Sequence, residues 1–141
     1  MKSRTVAQFG LTAWFFGNLY EAVVGMPQLL ADAPPRGLLK PGSPVRYYAP
    51  LAPVMLAATT ATVVDRWRDN KPAAVATAVS TASAVALTAY LVRTVNIRLI
   101  REDTLSANEQ AHLVSRWHRL NAVRLAALTV ALITLRRPKT D

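Results

Sequence analysis

Glu21 is the only acidic residue more than a turn inside a long apolar run of this chain, and Trp14 and Asn18 precede it so that the three stand at i, i+4 and i+7. Trp117, Asn121 and Arg124 repeat that spacing near the C-terminal end. A helix carries i, i+4 and i+7 on one face, so each set forms a polar stripe that starts from a tryptophan. A charge in apolar surroundings costs about 2.5–3.5 kcal/mol on insertion scales, so such a residue is expected to face a partner or a polar cavity. The spacing predicts that Glu21 and Arg124 face each other on adjacent helices and that the two stripes wall a pocket.

Other residues extend this expected pocket. Asn96 and Arg98 end the third apolar run, Tyr90 stands on its last turns, and Tyr47 and Tyr48 open the second. For Trp14, Trp117 and the two adjacent tyrosines, an aromatic belt at a membrane interface is the competing reading. For Glu21, Asn121 and Arg124 it is a purely structural buried ion pair. His118 lies about 60° around its helix from Asn121, and its unperturbed pKa near 6.5 suits a general base or a single metal ligand. Glu109 and His112 have the ExxH spacing of di-iron bundles, but only one copy is present, so His112 is expected at a solvated position.

The elements that must position these residues are apolar helices. The 141 residues carry 17 Lys and Arg against 8 Asp and Glu, are 52% hydrophobic and include no cysteine. One domain is expected, and thiolate metal sites, disulfides and cysteine nucleophiles are excluded. The net charge of +9 would suit nucleic acid, but the basic residues fall between apolar runs rather than on one solvated face, so they fit membrane flanks and no nucleic-acid partner. Four runs, about 6–30, 47–66, 72–95 and 113–135, are long enough to cross a bilayer. A soluble bundle would show a polar stripe on every helix, whereas Pro72–Ala89 has no charged residue on any face. A cleavable signal peptide is disfavoured, because the first run is too long and Asn18 and Glu21 interrupt it.

The expected fold is therefore an all-α integral membrane four-helix bundle, multi-pass in the cell membrane and in contact with its lipid. Four spans put both termini on one side, and basic Lys2, Arg4, Arg136, Arg137 and Lys139 place that side in the cytoplasm. The end of helix 1, the start of helix 2, the end of helix 3 and the start of helix 4 then share the other face. Pro34, Pro35, Gly37, Pro41, Gly42 and Pro44 mark the first connection. Ser106 to Glu109 form a capping box that opens helix 4 ahead of the membrane. Small residues from Ala73 to Ala84 suit close packing of helix 3, either inside the chain or in a homo-oligomer.

The segment Arg116-Trp117-His118-Arg119-Leu120-Asn121-Ala122-Val123-Arg124-Leu125 resembles the last-helix signature of the anthrone oxygenase-like family of small membrane proteins, a tryptophan, then asparagine four residues on, then arginine three further. Asn96-Ile97-Arg98-Leu99 is similar to that family's motif at the end of helix 3, with Thr94 where a proline is usual, and Gly17–Leu30 with Pro27 resembles its first helix. The resemblance implies a membrane-embedded oxygenase or oxidase, a monooxygenase-type oxidoreductase acting with O2 on a small lipophilic aromatic or polyketide-like metabolite in biosynthesis. It would need either no cofactor or a copper or iron ion held by His118 and Glu21. Glu21 or His118 would be the base, Asn96, Asn121 and Arg124 the donors to a developing oxyanion, and Asn18, Trp14, Arg98, Trp117, Tyr90 and Tyr48 would bind the substrate. The alternative from the residues alone is a small proton-coupled transporter with Glu21 as the coupling carboxylate.

Overall fold

A computed structural model of the chain describes residues 2–32, 39–41, 43–101 and 104–136. The first-connection residues Pro34, Pro35, Gly37 and Gly42 and the C-terminal Arg137 and Lys139 lie outside the described residues. Those described form an all-helical chain with no strand: α1 (Lys2–Val23), α2 (Met26–Asp32), α3 (Pro44–Tyr48), α4 (Leu51–Arg66), α5 (Lys71–Leu91), α6 (Ile97–Arg101) and α7 (Ala107–Arg136). A π-helical turn, Val92–Asn96, joins α5 to α6 without a break. The run through α5 and α6 and the run of α7, 31 and 30 residues, are each long and apolar enough to cross a membrane.

Two of the expected runs are divided. The first ends at Val23, because Gly25 takes φ +66°, a left-handed conformation that terminates α1, and Pro27 then fits the first turn of α2, where its missing N–H costs nothing. The second run is split at Ala49 and Pro50 into a five-residue α3 and a 16-residue α4. The third run continues past Val95 through the π turn to Arg101.

Buried positions follow helical periodicity on each long element. On α1 they are Ala7, Leu11, Trp14, Asn18 and Glu21, and on α7 Leu113, Trp117, Asn121, Arg124, Leu128 and Ala131, continuing to Leu135. α1 packs on α4 and α7, and α5 packs on the same two helices, its tightest neighbour being α7. Ala73, Ala74 and Ala84 of α5 are buried, so this part of its small-residue stretch packs within the chain, while Ala82 and Ser83 are exposed.

Polar groups fix the ends. Arg4 donates to the carbonyl of Arg136 at 2.9 Å, and Arg66 donates to the carbonyls of Thr134 and Leu135, both at 2.9 Å, groups that the last turn of α7 would otherwise leave without partners. These bonds gather the N-terminus of α1 and the C-termini of α4 and α7 at one end. α2 packs on α6 and α7 at the other end. There Ser106 Oγ and the Ser106 backbone N–H donate to Glu109 Oε2 at 2.7 and 2.9 Å, closing the capping box that opens α7. Both bonds hold the Glu109 carboxyl below the usual carboxylate range.

Two apolar cores result. Ala7, Leu11, Trp14, Met55, Ala84, Leu128, Ala131 and Leu135 fill the end that carries the termini, and Leu30, Leu91, Val95, Leu99, Leu113 and Trp117 fill the other. Between them, on α1 and α7, lie Asn18, Glu21, Asn121 and Arg124.

Candidate functional site

Arg124 organises this middle layer. Its Nε and Nη2 donate to Asn121 Oδ1 at 3.1 and 2.6 Å, its Nη1 donates to Thr88 Oγ1 at 3.1 Å, and its Nη2 stands 3.8 Å from Glu21 Oε2. The one-turn spacing of Asn121 and Arg124 on α7 makes the amide contact local, whereas Thr88 and Glu21 reach it from α5 and α1. Asn121 in turn donates through Nδ2 to the backbone carbonyl of Asn18 at 3.2 Å, tying α7 to α1. The Tyr48 hydroxyl of α3 faces the Glu21 carboxylate across a cavity that both line. The guanidinium also lies 6.0 Å from the Trp117 ring centroid, within cation–π range.

A chamber of about 400 Å3 opens beside this layer. Glu21, Arg124, Tyr48, Asn18 and Asn96 supply its polar wall, and Trp14, Met55, Leu56, Leu91 and Trp117 are among its apolar walls. It reaches the outer surface at Phe9, Leu51 and Val54, exposed residues of α1 and α4. Tyr48 enters because α1 has glycine opposite it: a Cβ at Gly17 would collide with the Tyr48 hydroxyl.

The amides facing the chamber are incompletely bonded. Asn18 is 1% exposed and its Nδ2 and Oδ1 have no hydrogen-bond partner among the described residues, nor has Oδ1 of Asn96, which is 7% exposed. A buried polar group without a partner costs about 1–3 kcal/mol, so in a folded protein it is normally met by water or a ligand. Asn96 reaches this wall from the last position of the π turn, a local widening that recurs at functional sites.

The sequence-derived candidates divide between this chamber and other places. Glu21, Arg124, Asn18, Asn96, Trp14, Trp117 and Tyr48 line the chamber. Asn121 is buried behind it, with its oxygen on Arg124 and its amide N–H on α1, so it positions the guanidinium and does not line the wall. His118, expected at the pocket mouth, is not among the lining residues: its Nε2 lies 3.2 Å from the Gln28 amide nitrogen of α2, and its ring sits edge-on to Trp117. The break at Gly25 is what brings α2, and Gln28 with it, to this histidine. Arg98 lies half-buried on α6 and is not among the residues that line the chamber. Tyr90 points to the outer side of α5 and α7, where it contacts Arg116. Tyr47 is exposed, as is His112. Thr88, which the sequence reading passes over, is a direct partner of Arg124; a threonine in an apolar run shows no signal beyond its spacing.

A copper or iron centre on His118 and Glu21 does not fit this arrangement. Among the described residues no three His, Cys, Asp or Glu side chains gather at one point, and the two proposed ligands do not line a common cavity. Compared with protein-family profiles, with curated proteins and with solved structures, the chain has no match in any of the three.

Proposed function

We propose that this chain is an integral membrane four-helix bundle that admits a small lipophilic molecule to the chamber beside Glu21 and oxidises it with O2. Membrane embedding is supported by the outward face of the two longest apolar runs: only 22% and 33% of their apolar stretches are buried, so most of that surface looks outward, unlike the core helix of a soluble protein. α1, at 22 residues, and α3 with α4 supply the remaining crossings. The ligand is lipophilic because the chamber walls are mostly apolar and its mouth opens among Phe9, Leu51 and Val54.

The observation that carries the chemical reading is a carboxylate held against a guanidinium and a tyrosine hydroxyl, with bonding-deficient amides on the same wall. Glu21 is the base. It takes a proton from a carbon activated by an adjacent carbonyl or aromatic ring, while the unbonded Asn18 Nδ2 and the Arg124 guanidinium stabilise the enolate oxygen, and the free Asn96 Oδ1 accepts from a substrate hydroxyl. The carbanion reduces O2 to a hydroperoxide on that carbon, and loss of water leaves a carbonyl, so that CH2 and O2 become C=O and H2O. The resemblance to anthrone oxygenase-like proteins agrees with this chemistry.

Oxygen uptake by the purified protein, with a panel of lipophilic aromatic ketones bearing an activated CH2, tests the proposal. Uptake that depends on substrate and releases no peroxide is expected. No uptake with any substrate, together with proton release from liposomes when a lipophilic amine is added, would replace it with proton-coupled transport.

A further inference from the structure

On the opposite side of α5 and α7 from the chamber lies a second concavity, of about 610 Å3. On α7 it takes His112, Ser115, Arg116 and Arg119, spaced i, i+3, i+4 and i+7 on one face, and on α5 it takes Leu87 and Tyr90. Arg116 donates to the Tyr90 hydroxyl and its guanidinium carbon lies 5.2 Å from the Tyr90 ring centroid, so ring and hydroxyl fix the cation over the groove. Arg119 is exposed and has no hydrogen bond or ion pair among the described residues. No carboxylate lines the groove. Two guanidiniums, one held and one unpaired, form a cationic site that nothing in the oxidation mechanism uses.

Position selects its ligand. Arg116 and Arg119 follow Ala107, the first residue of α7, by about 14 and 18 Å, which is the first turns of an apolar run beginning near residue 113. Arginines at that depth extend toward the headgroup layer while their stems stay in hydrocarbon. Below them the groove continues over Leu87 and Leu120 toward Val123, which is exposed. A phosphate at the two guanidiniums with an acyl chain along those apolar residues satisfies both ends, and guanidinium forks suit phosphate oxygens. We infer that this groove binds the head of an anionic phospholipid, with Arg116 and Arg119 on the phosphate and Tyr90 orienting Arg116. The site rests on the membrane reading above and is independent of the oxidation chemistry.

The test titrates lipid-depleted protein in detergent with short-chain phosphatidylglycerol, short-chain phosphatidylcholine and inorganic phosphate, reading apparent Kd from the rise in thermal midpoint. Only phosphatidylglycerol should protect. Arg116→Gln with Arg119→Gln should weaken it about 30-fold, about fivefold for each arginine near an anionic headgroup, while Arg68→Gln with Arg101→Gln, which removes the same charge from exposed positions elsewhere, should change it less than about threefold. Arg119→Gln alone, a side chain with no bond to lose, should still give about fivefold if the double variant does not fold. Equal protection by phosphatidylcholine or by phosphate alone, or equal weakening by the two double variants, would overturn the site. Because the readout is binding, absence of turnover leaves the result unaffected.

Discussion

Arg124 has partners of unequal strength, and the inequality sets what each substitution costs. Its bonds to Asn121 and Thr88 are 2.6–3.1 Å, whereas Glu21 stands at 3.8 Å, an ion pair without hydrogen-bond geometry. Arg124→Met strands the Glu21 carboxylate in a buried site, a loss of about 3–5 kcal/mol. Glu21→Gln leaves Arg124 on Asn121 and Thr88, and should cost only about 1–3 kcal/mol. Pairing Glu21→Leu with Arg124→Met should recover much of the loss, so thermal unfolding in detergent should show strong non-additivity; simple additivity would mean the pair is not coupled. Activity belongs to a different ranking: Glu21→Gln should reduce oxygen uptake by about 100-fold or more, as removal of a general base does, despite its milder effect on folding.

Gly17 gives a second residue-scale expectation. Its added Cβ in Gly17→Ala meets the far end of the Tyr48 side chain, which can swing away, so the helix survives while the Tyr48 hydroxyl leaves Glu21. Gly17→Ala and Tyr48→Phe should each weaken ligand binding several-fold, and the double variant should be no weaker than either alone, as titration of Trp14 and Trp117 fluorescence would report. Full additivity would mean that Gly17→Ala does not act through Tyr48. At this scale the facing stripes of α1 and α7 are legible in the sequence, because i, i+4, i+7 spacing needs only a helix to become one face. Tyr48 is not, since a tyrosine at the start of an apolar run reads equally as an interface anchor. His118 is misplaced because its surroundings depend on where α2 goes.

Among the elements, the short ones carry what the sequence does not spell out. Apolar runs give the long helices directly, yet Gly10, Gly17 and Gly25 look alike inside the first run, and the separation of α1 from α2 comes from a positive φ at Gly25 alone. The following Pro27 is the legible half of that stop and restart, since proline in a first turn is a starting signal. Gly25→Ala forces a Cβ into the left-handed region and should cost about 1–2 kcal/mol, with Gly25→Asn costing less, by denaturant unfolding. If both are silent, the break is not held by this residue. Loss of the break would also move Gln28 from His118 and Leu30 from the second core. The π turn at Val92–Asn96 has no such signal: Thr94 back-bonds to the Tyr90 carbonyl at 2.8 Å, a contact any helical threonine can make.

For the whole molecule, a chamber that takes a lipophilic ligand through a mouth at Phe9, Leu51 and Val54 requires a bilayer crossed four times. The hydrogen bonds of Arg4 and Arg66 to the end of α7 already gather the start of α1 with the ends of α4 and α7, and α2 with α6 marks the opposite end. That arrangement of ends is legible from four apolar runs and the three reversals between them, and its orientation from the basic residues at both termini. The most direct test is therefore a set of reporter fusions made after Lys40, Arg68, Leu105 and Arg136 and scored in intact cells for side of the membrane. Fusions at Lys40 and Leu105 should report the outside and those at Arg68 and Arg136 the cytoplasm. All four fusions reporting one compartment, or Lys40 agreeing with Arg136, would contradict that topology.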